Sequence, residues 1–190
     1  MEWLILISLA ATLGLLYGYF SQDRRTLKAG QSAPDFTLPD QHGDMRSLND
    51  FRGKWLTLYF YPKDDTPGCT KQACSFRDEL QEITDLGAVV IGISVDNTGS
   101  HADFAGKYRL EFPLLADTAA EVAARYHSLI RFGPVKFARR NTFLIDPEGK
   151  IARIYLSVSP ARNSSDVIAD LKQLQTAKKS VATMHAPIES

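Results

Sequence analysis

The chain holds two thiols, Cys69 and Cys74, five residues apart. Cys69 sits in the run Tyr61-Pro-Lys-Asp-Asp-Thr-Pro-Gly-Cys-Thr70, between a β-rich apolar stretch and the start of a helical pattern. Thr66 stands where an N-cap belongs. Pro67 follows at the first helical position, where its missing N–H costs nothing. Cys69 then falls in the first helical turn. Backbone N–H groups without intrahelical partners and the positive end of the helix dipole stabilise a thiolate there, and the thiolate is the reactive form. Lys71 adds positive charge nearby or is simply solvated. Read alone, Thr-Pro-Gly is also an ordinary helix start, and a cysteine is often a small buried hydrophobe.

The second thiol raises the weight of the reactive reading. Five residues along a helix advance about 7.5 Å and turn about 140°, which places the two Cα atoms roughly 8–9 Å apart. A disulfide needs them within about 7 Å, so the pair cannot bond while the helix is intact. If Cys69 is oxidised to a sulfenic acid, Cys74 reaches it only after the first turns unwind. A redox-coupled local unfolding of about residues 68–75 is therefore expected. Dithiol exchange enzymes carry Cys-x-x-Cys at the helix start, whereas four residues intervene here. Zinc would need two further ligands at suitable spacing. His42, His101, His127 and His185 are scattered singly and read as surface or structural residues. No metal and no cofactor is expected.

The elements that must position these thiols follow from periodicity. Residues 55–61 (WLTLYFY) are apolar at nearly every position, as a central strand requires. A helix is predicted from about Pro67 to Leu86, with Ala73, Phe76, Leu80 and Ile83 at helical intervals and Gly87 as its stop. Residues 88–95 (AVVIGISV) form a second buried strand. Helices over 101–108 and 119–126 flank a short strand at 114–116. Residues 142–145 and 151–156 form a hairpin around Asp146-Pro-Glu-Gly149, and a last helix covers about 165–175. Phe36 to Leu38 gives a short opening strand. Strands and helices alternate first and a hairpin closes the series, which predicts an α/β sandwich with a mixed central sheet flanked by helices.

Residues 3–20 (WLILISLAATLGLLYGYF) carry no charge and would make a helix of roughly 27 Å, close to the hydrocarbon thickness of a bilayer. The run lacks a basic start and ends in bulky residues, which favours an uncleaved anchor over a signal peptide. Arg24, Arg25 and Lys28 follow it, which places the domain on the cytoplasmic face, with the periplasmic face as the alternative. The expected organisation is a transmembrane anchor at 1–22, a linker at 23–29, one domain at 30–175 and a mobile tail at 176–190. Lys and Arg total 22, matched by 22 Asp and Glu, so no basic surplus points to nucleic acid. A monomer is expected.

Pro62-x-x-x-Thr66-x-x-Cys69 matches the peroxiredoxin active-site motif. The longer run from Phe60 to Cys74 resembles the PrxQ branch, also called bacterioferritin comigratory protein. Residues 30–38 (GQSAPDFTL) resemble the opening of that family's domain, and residues 140–146 (RNTFLID) resemble the segment bearing its active-site arginine. The resemblance implies a thioredoxin-like fold and reduction of hydrogen peroxide and organic hydroperoxides. It casts Cys69 as peroxidatic nucleophile, Thr66 as the hydroxyl that orients the peroxide and Arg140 as the cation holding the thiolate. Pro62 shields the pocket. Cys74 resolves the sulfenic acid to an intramolecular disulfide, and thioredoxin or a similar thiol reductant restores both thiols. Arg139 is the alternative if the alignment slips by one, but strand alternation favours Arg140. Residues 128–139 are unlike the matching loop of better-known relatives. A redox sensor or relay using the same Cys69–Cys74 switch is the competing function. A non-catalytic binding module is the third.

Overall fold

The computed structural model describes residues 27–184. A short antiparallel hairpin, β1 (Thr37–Pro39) and β2 (Met45–Ser47), and a 3-10 turn at Leu48–Phe51 lead into β3 (Trp55–Phe60). Helices α1 (Pro67–Asp78) and α2 (Leu80–Asp85) connect it to β4 (Ala88–Ser94). Helix α3 (Thr98–Tyr108) connects β4 to β5 (Leu114–Ala116), and the short helix α4 (Glu121–Arg125) follows. A hairpin of β6 (Leu129–Phe132) and β7 (Val135–Ala138) precedes β8 (Thr142–Ile145), β9 (Ile151–Tyr155) and the long helix α5 (Asn163–Met184).

The core sheet runs β5-β4-β3-β8-β9, with β3, β4 and β5 parallel and β8 and β9 antiparallel to their neighbours. All six residues of β3 are buried, which explains their unbroken apolar character: a strand covered on both faces has no solvent side to mark with polar residues. Alternation divides them. Trp55 and Tyr59 pack with Ala73 and Phe76 of α1, Phe104 of α3 and Val167 of α5. Leu56, Leu58 and Phe60 pack with Val122 of α4 and with Phe36, Phe143 and Ile145. Burying one such side chain is worth about 1.5–3 kcal/mol, so β3, covered on both faces, is a firm element from which to hang a site.

Sequence and structure agree on the order of the main elements and on a thioredoxin-like α/β fold. Four differences stand out. The helix predicted over 67–86 is two helices, separated at Glu79 (φ −103, ψ 9). No glycine or proline marks the break. Phe76 and Ile83 keep helical spacing across it, so periodicity alone reads one helix. The last helix continues to Met184 instead of giving way to a mobile tail at residue 176. Its extension (TAKKSVATM) contains no breaker and several good helix formers. Residues 128–139, read as an unlike loop, contain the β6–β7 hairpin around Gly133-Pro134.

The fourth difference corrects the expectation of a membrane anchor. Among the described residues no helix is long and apolar enough to cross a membrane. The segment 1–22, to which the transmembrane helix was assigned on its unbroken apolar run, lies outside the described residues. The transmembrane helix and the membrane localisation built on it are withdrawn, and the fold class is the thioredoxin-like α/β fold without them.

Candidate active site

Helix α1 opens as its sequence predicts. Thr66 takes the N-cap position with extended backbone (φ −85, ψ 147), and Pro67 is the first helical residue. The first helical hydrogen bond runs from the Thr70 N–H to the Thr66 carbonyl at 2.9 Å. The N–H groups of Gly68 and Cys69 precede that bond, so helix geometry leaves them free to face negative charge. Cys69 is 1% exposed, packed against the core beside Tyr59 and Ala73.

Arg140 reaches the sulfur from the segment between β7 and β8. The Phe60 N–H donates to the Asn141 carbonyl at 2.8 Å and the Val158 N–H to the Arg140 carbonyl at 3.0 Å. These bonds fix the arginine backbone beside the end of β3. Nη2 of Arg140 donates to Cys69 Sγ at 3.4 Å, and Nη1 donates to Gln72 Oε1 at 2.7 Å. Arg139, the alternative weighed from sequence, is exposed. A sulfur at a helix N-terminus, faced by a guanidinium, sits among donors that can stabilise charge as it develops in a reaction.

Gln72 is the residue that sequence reasoning missed. It is fully buried, one turn after Cys69 on α1. Its Nε2 donates to Asn163 Oδ1 at 2.8 Å, and the hydroxyl of Thr142 donates to the same oxygen at 2.8 Å. A hydrogen-bonded line therefore runs from the sulfur through Arg140 and Gln72 to the first residue of α5. Its position at i+3 from Cys69 is a usable signal, because residues three apart share a helix face. Gly68 is equally specific. A Cβ there would stand 3.1 Å from Arg140 Nη2 and 3.8 Å from Pro160, so the guanidinium occupies the space a side chain would take.

Thr66 departs from expectation in one detail. Its side chain makes no capping bond; the hydroxyl donates to the Lys63 carbonyl at 3.0 Å. With its proton committed there, the oxygen's lone pairs are available to a donor entering the site. Pro62 is half-buried in the same loop. Cys74 lies on α1, half-exposed, and both cysteines are free. The geometry thus gathers Cys69, Arg140 and Thr66 around the start of α1 and leaves Cys74 farther along the same helix, unbonded.

Beneath the sulfur, Tyr59 stacks on Phe76 with ring centroids 4.9 Å apart. A Cβ at Gly92 would lie 2.8 Å from the Tyr59 hydroxyl, so that glycine makes room for the ring. The hydroxyl has no hydrogen-bond partner among the described residues. Burial pushes its acidity far out of range, and the neighbouring charge of Cys69 adds to this, so Tyr59 stays a neutral phenol. Among the described residues no group of three or more His, Cys, Asp or Glu side chains is placed to hold a metal ion.

A cysteine in the first turn of the helix after the central strand, reached by an arginine from across the sheet, defines a thioredoxin-like protein arranged for thiol redox chemistry. The chain belongs to the AhpC/TSA family, matched over residues 29–154, and within it to the Bcp/PrxQ peroxiredoxins, which are thiol-dependent peroxidases. It is 45% identical over 150 residues to the peroxiredoxin bcp of Coxiella burnetii, covering 77% of this chain and 99% of that protein. It is 39% identical over 153 residues to peroxiredoxin Bcp of Bacillus subtilis, covering 78% and 98%. Among solved structures, peroxidoxin BcpB of Mycobacterium tuberculosis superposes with a TM-score of 0.74 at 35% identity, covering 77% of this chain and 97% of that one. Peroxiredoxin Q of Xanthomonas campestris gives 0.71 at 33% identity, covering 76% and 97%.

Proposed function

We propose that the protein reduces hydrogen peroxide and organic hydroperoxides through Cys69, and that Cys74 resolves the product to an intramolecular disulfide. The observation that carries this reading is the 3.4 Å contact between Arg140 Nη2 and Cys69 Sγ at the N-terminal turn of α1. The thiolate attacks the distal peroxide oxygen. An S–O bond forms as the O–O bond breaks, and the departing alkoxide or hydroxide takes a proton and leaves as alcohol or water. Sulfur is oxidised to the sulfenic acid and the peroxide is reduced by two electrons. Arg140 donates toward both sulfur and oxygen as charge moves between them. Thr66 accepts the peroxide proton in a hydrogen bond and so orients the O–O axis. Pro62 keeps water off the pocket.

Resolution follows. The Cys74 thiol attacks the sulfenic sulfur, the S–S bond forms, and the hydroxyl leaves with a proton as water. Both cysteines lie on one continuous helix, so α1 must unwind over about residues 68–75 first. A dithiol reductant such as thioredoxin then exchanges its own thiols for the disulfide and returns both cysteines to the reduced state.

The test is a thioredoxin-coupled peroxide assay on wild type, Cys69→Ser and Cys74→Ser. Cys69→Ser is expected to lose all activity. Cys74→Ser is expected to react once with peroxide and then fail to recycle through thioredoxin. Full multiple turnover by Cys69→Ser would end this reading.

A further inference from the structure

We infer that a buried clamp around Asp64, built by Tyr61, Asp96, Ser100 and His101, is a positioning device that aims the Thr66 hydroxyl for peroxide attack and marks where the unwinding of α1 stops. The inference rests on the peroxidase reading above.

The Asp64 side chain is 4% exposed and that of His101 is 0% exposed. Asp64 Oδ1 accepts from the Tyr61 hydroxyl at 2.8 Å. Oδ2 accepts from the Ser100 hydroxyl at 2.7 Å and from His101 Nδ1 at 2.8 Å. Burial alone would push the Asp64 carboxyl up, but the bonds from His101, Ser100 and Tyr61 outweigh it and hold the group below the usual carboxylate range. A carboxylate only accepts, so Nδ1 carries the proton of this contact. His101 Nε2 is enclosed and meets no partner among the described residues. The imidazole is therefore held for its Nδ1–H alone.

The backbone of Asp64 links the clamp to Thr66. Its N–H donates to Asp96 Oδ2 at 2.9 Å, and Ser94 donates to the same oxygen at 2.7 Å. The carbonyl of the same peptide unit belongs to Lys63 and accepts the Thr66 hydroxyl at 3.0 Å. A peptide unit is planar, so fixing its N–H end fixes its C=O end, and with it the direction of the Thr66 lone pairs. The next residue is also tied down. Asp65 sits at φ +58, and its carboxylate accepts from Lys107 at 2.7 Å and from Tyr108 at 2.7 Å. Helix α3 thus grips the loop at both Asp64 and Asp65, through residues of its first and last turns. None of these bonds involves residues 68–75, so unwinding α1 breaks none of them.

The test follows the two chemical steps separately in the full chain. Sulfenic acid at Cys69 is trapped with dimedone after rapid mixing with hydrogen peroxide. Disulfide formation is read by non-reducing mass measurement in a single turnover. His101→Leu removes the donor, Asp96→Ala removes the acceptor for the Asp64 N–H, and His101→Asn restores an N–H at the place of Nδ1. Sulfenic acid formation is expected to slow about tenfold in His101→Leu and Asp96→Ala, since a misaimed reacting group costs that order of rate. The rate from sulfenic acid to disulfide is expected to hold or rise, and His101→Asn to stay within about twofold of wild type. Equal slowing of both steps, or no slowing of the first in either variant, would overturn the clamp's role while leaving the peroxidase reading intact. Absence of any Cys69 sulfenic acid in wild type would remove that reading and the clamp's role with it.

Discussion

Replacing Gly68 by alanine should separate activity from stability. The added Cβ would meet Arg140 Nη2 at 3.1 Å, a few tenths of an ångström inside ordinary contact. Arg140 has little slack, because Nη1 is held by Gln72 at 2.7 Å. The guanidinium must therefore withdraw or tilt, and with Nη1 anchored on Gln72 the 3.4 Å contact to Cys69 Sγ is the one displaced. A hydrogen bond to a charged group contributes about 1.5–3 kcal/mol, so complete loss would slow peroxide attack by roughly ten- to a hundredfold. A displacement of a few tenths of an ångström should cost the lower end of that range, about tenfold. Stability should move the other way. Gly68 is not in a left-handed conformation, and alanine in a helix is favoured over glycine by up to about 1 kcal/mol, less in the first turn. The assay is the second-order rate of Cys69 oxidation by rapid mixing, alongside thermal unfolding of the reduced protein. A rate within twofold of wild type, in a series where Arg140→Ala is strongly impaired, would refute the steric reasoning.

Gln72→Leu should leave both Arg140 Nη1 and Asn163 without their shared partner, costing about 1–3 kcal/mol of stability in denaturant titration and lowering the peroxide rate as the guanidinium loosens. Gly92→Ala should cost about 1–3 kcal/mol by overpacking, because its Cβ would lie 2.8 Å from the Tyr59 ring and hydroxyl and 2.9 Å from Leu114; an unchanged melting temperature would contradict the packing described. The Asp64 and Asp40 carboxyls both lie below their ordinary 3.8: burial pushes each up, but hydrogen bonds from His101 and from Arg46 outweigh it. Their stabilisation is complete above that value and lost as pH falls through the folded values. The melting temperature of reduced wild type should therefore owe no slope to these groups between about pH 5 and 8 and fall below about pH 4, and Asp64→Asn should fall less steeply.

The parts of the fold legible in the sequence were those set by local rules. Thr66-Pro67 marked the start of α1, and the unbroken apolar run at 55–60 marked a strand buried on both faces. The motif placed Thr66 and Cys69 together, and strand alternation selected Arg140 over Arg139. Gln72 carried only its i+3 spacing from Cys69, and the hydrogen-bond networks of Gln72 and His101 were hidden for a common reason. Each is a buried polar residue with a hydrogen-bond partner far along the chain, Asn163 for one and Asp64 for the other, and pairing across 91 and 37 residues leaves no periodic trace. The β6–β7 hairpin did carry a signal, since Gly133-Pro134 lies between two short runs rich in Ile, Phe and Val. The break at Glu79 carried none.

That break shapes how the enzyme would reset after each turnover. Ile83 of α2 is buried in the core beneath the sheet, and Asp64 and Asp65 hold the other end. On the proposed resolution by Cys74, the segment that would come undone is a short tether moored at both ends. Its closure cost grows only with the logarithm of its length. Helix rewinding on such a scale takes about a microsecond or less, against enzyme turnovers of about a millisecond to a second. Once a reductant has opened the disulfide, restoring the peroxide-ready form would add no kinetic delay, and the pace of the cycle would be set by encounters with other molecules.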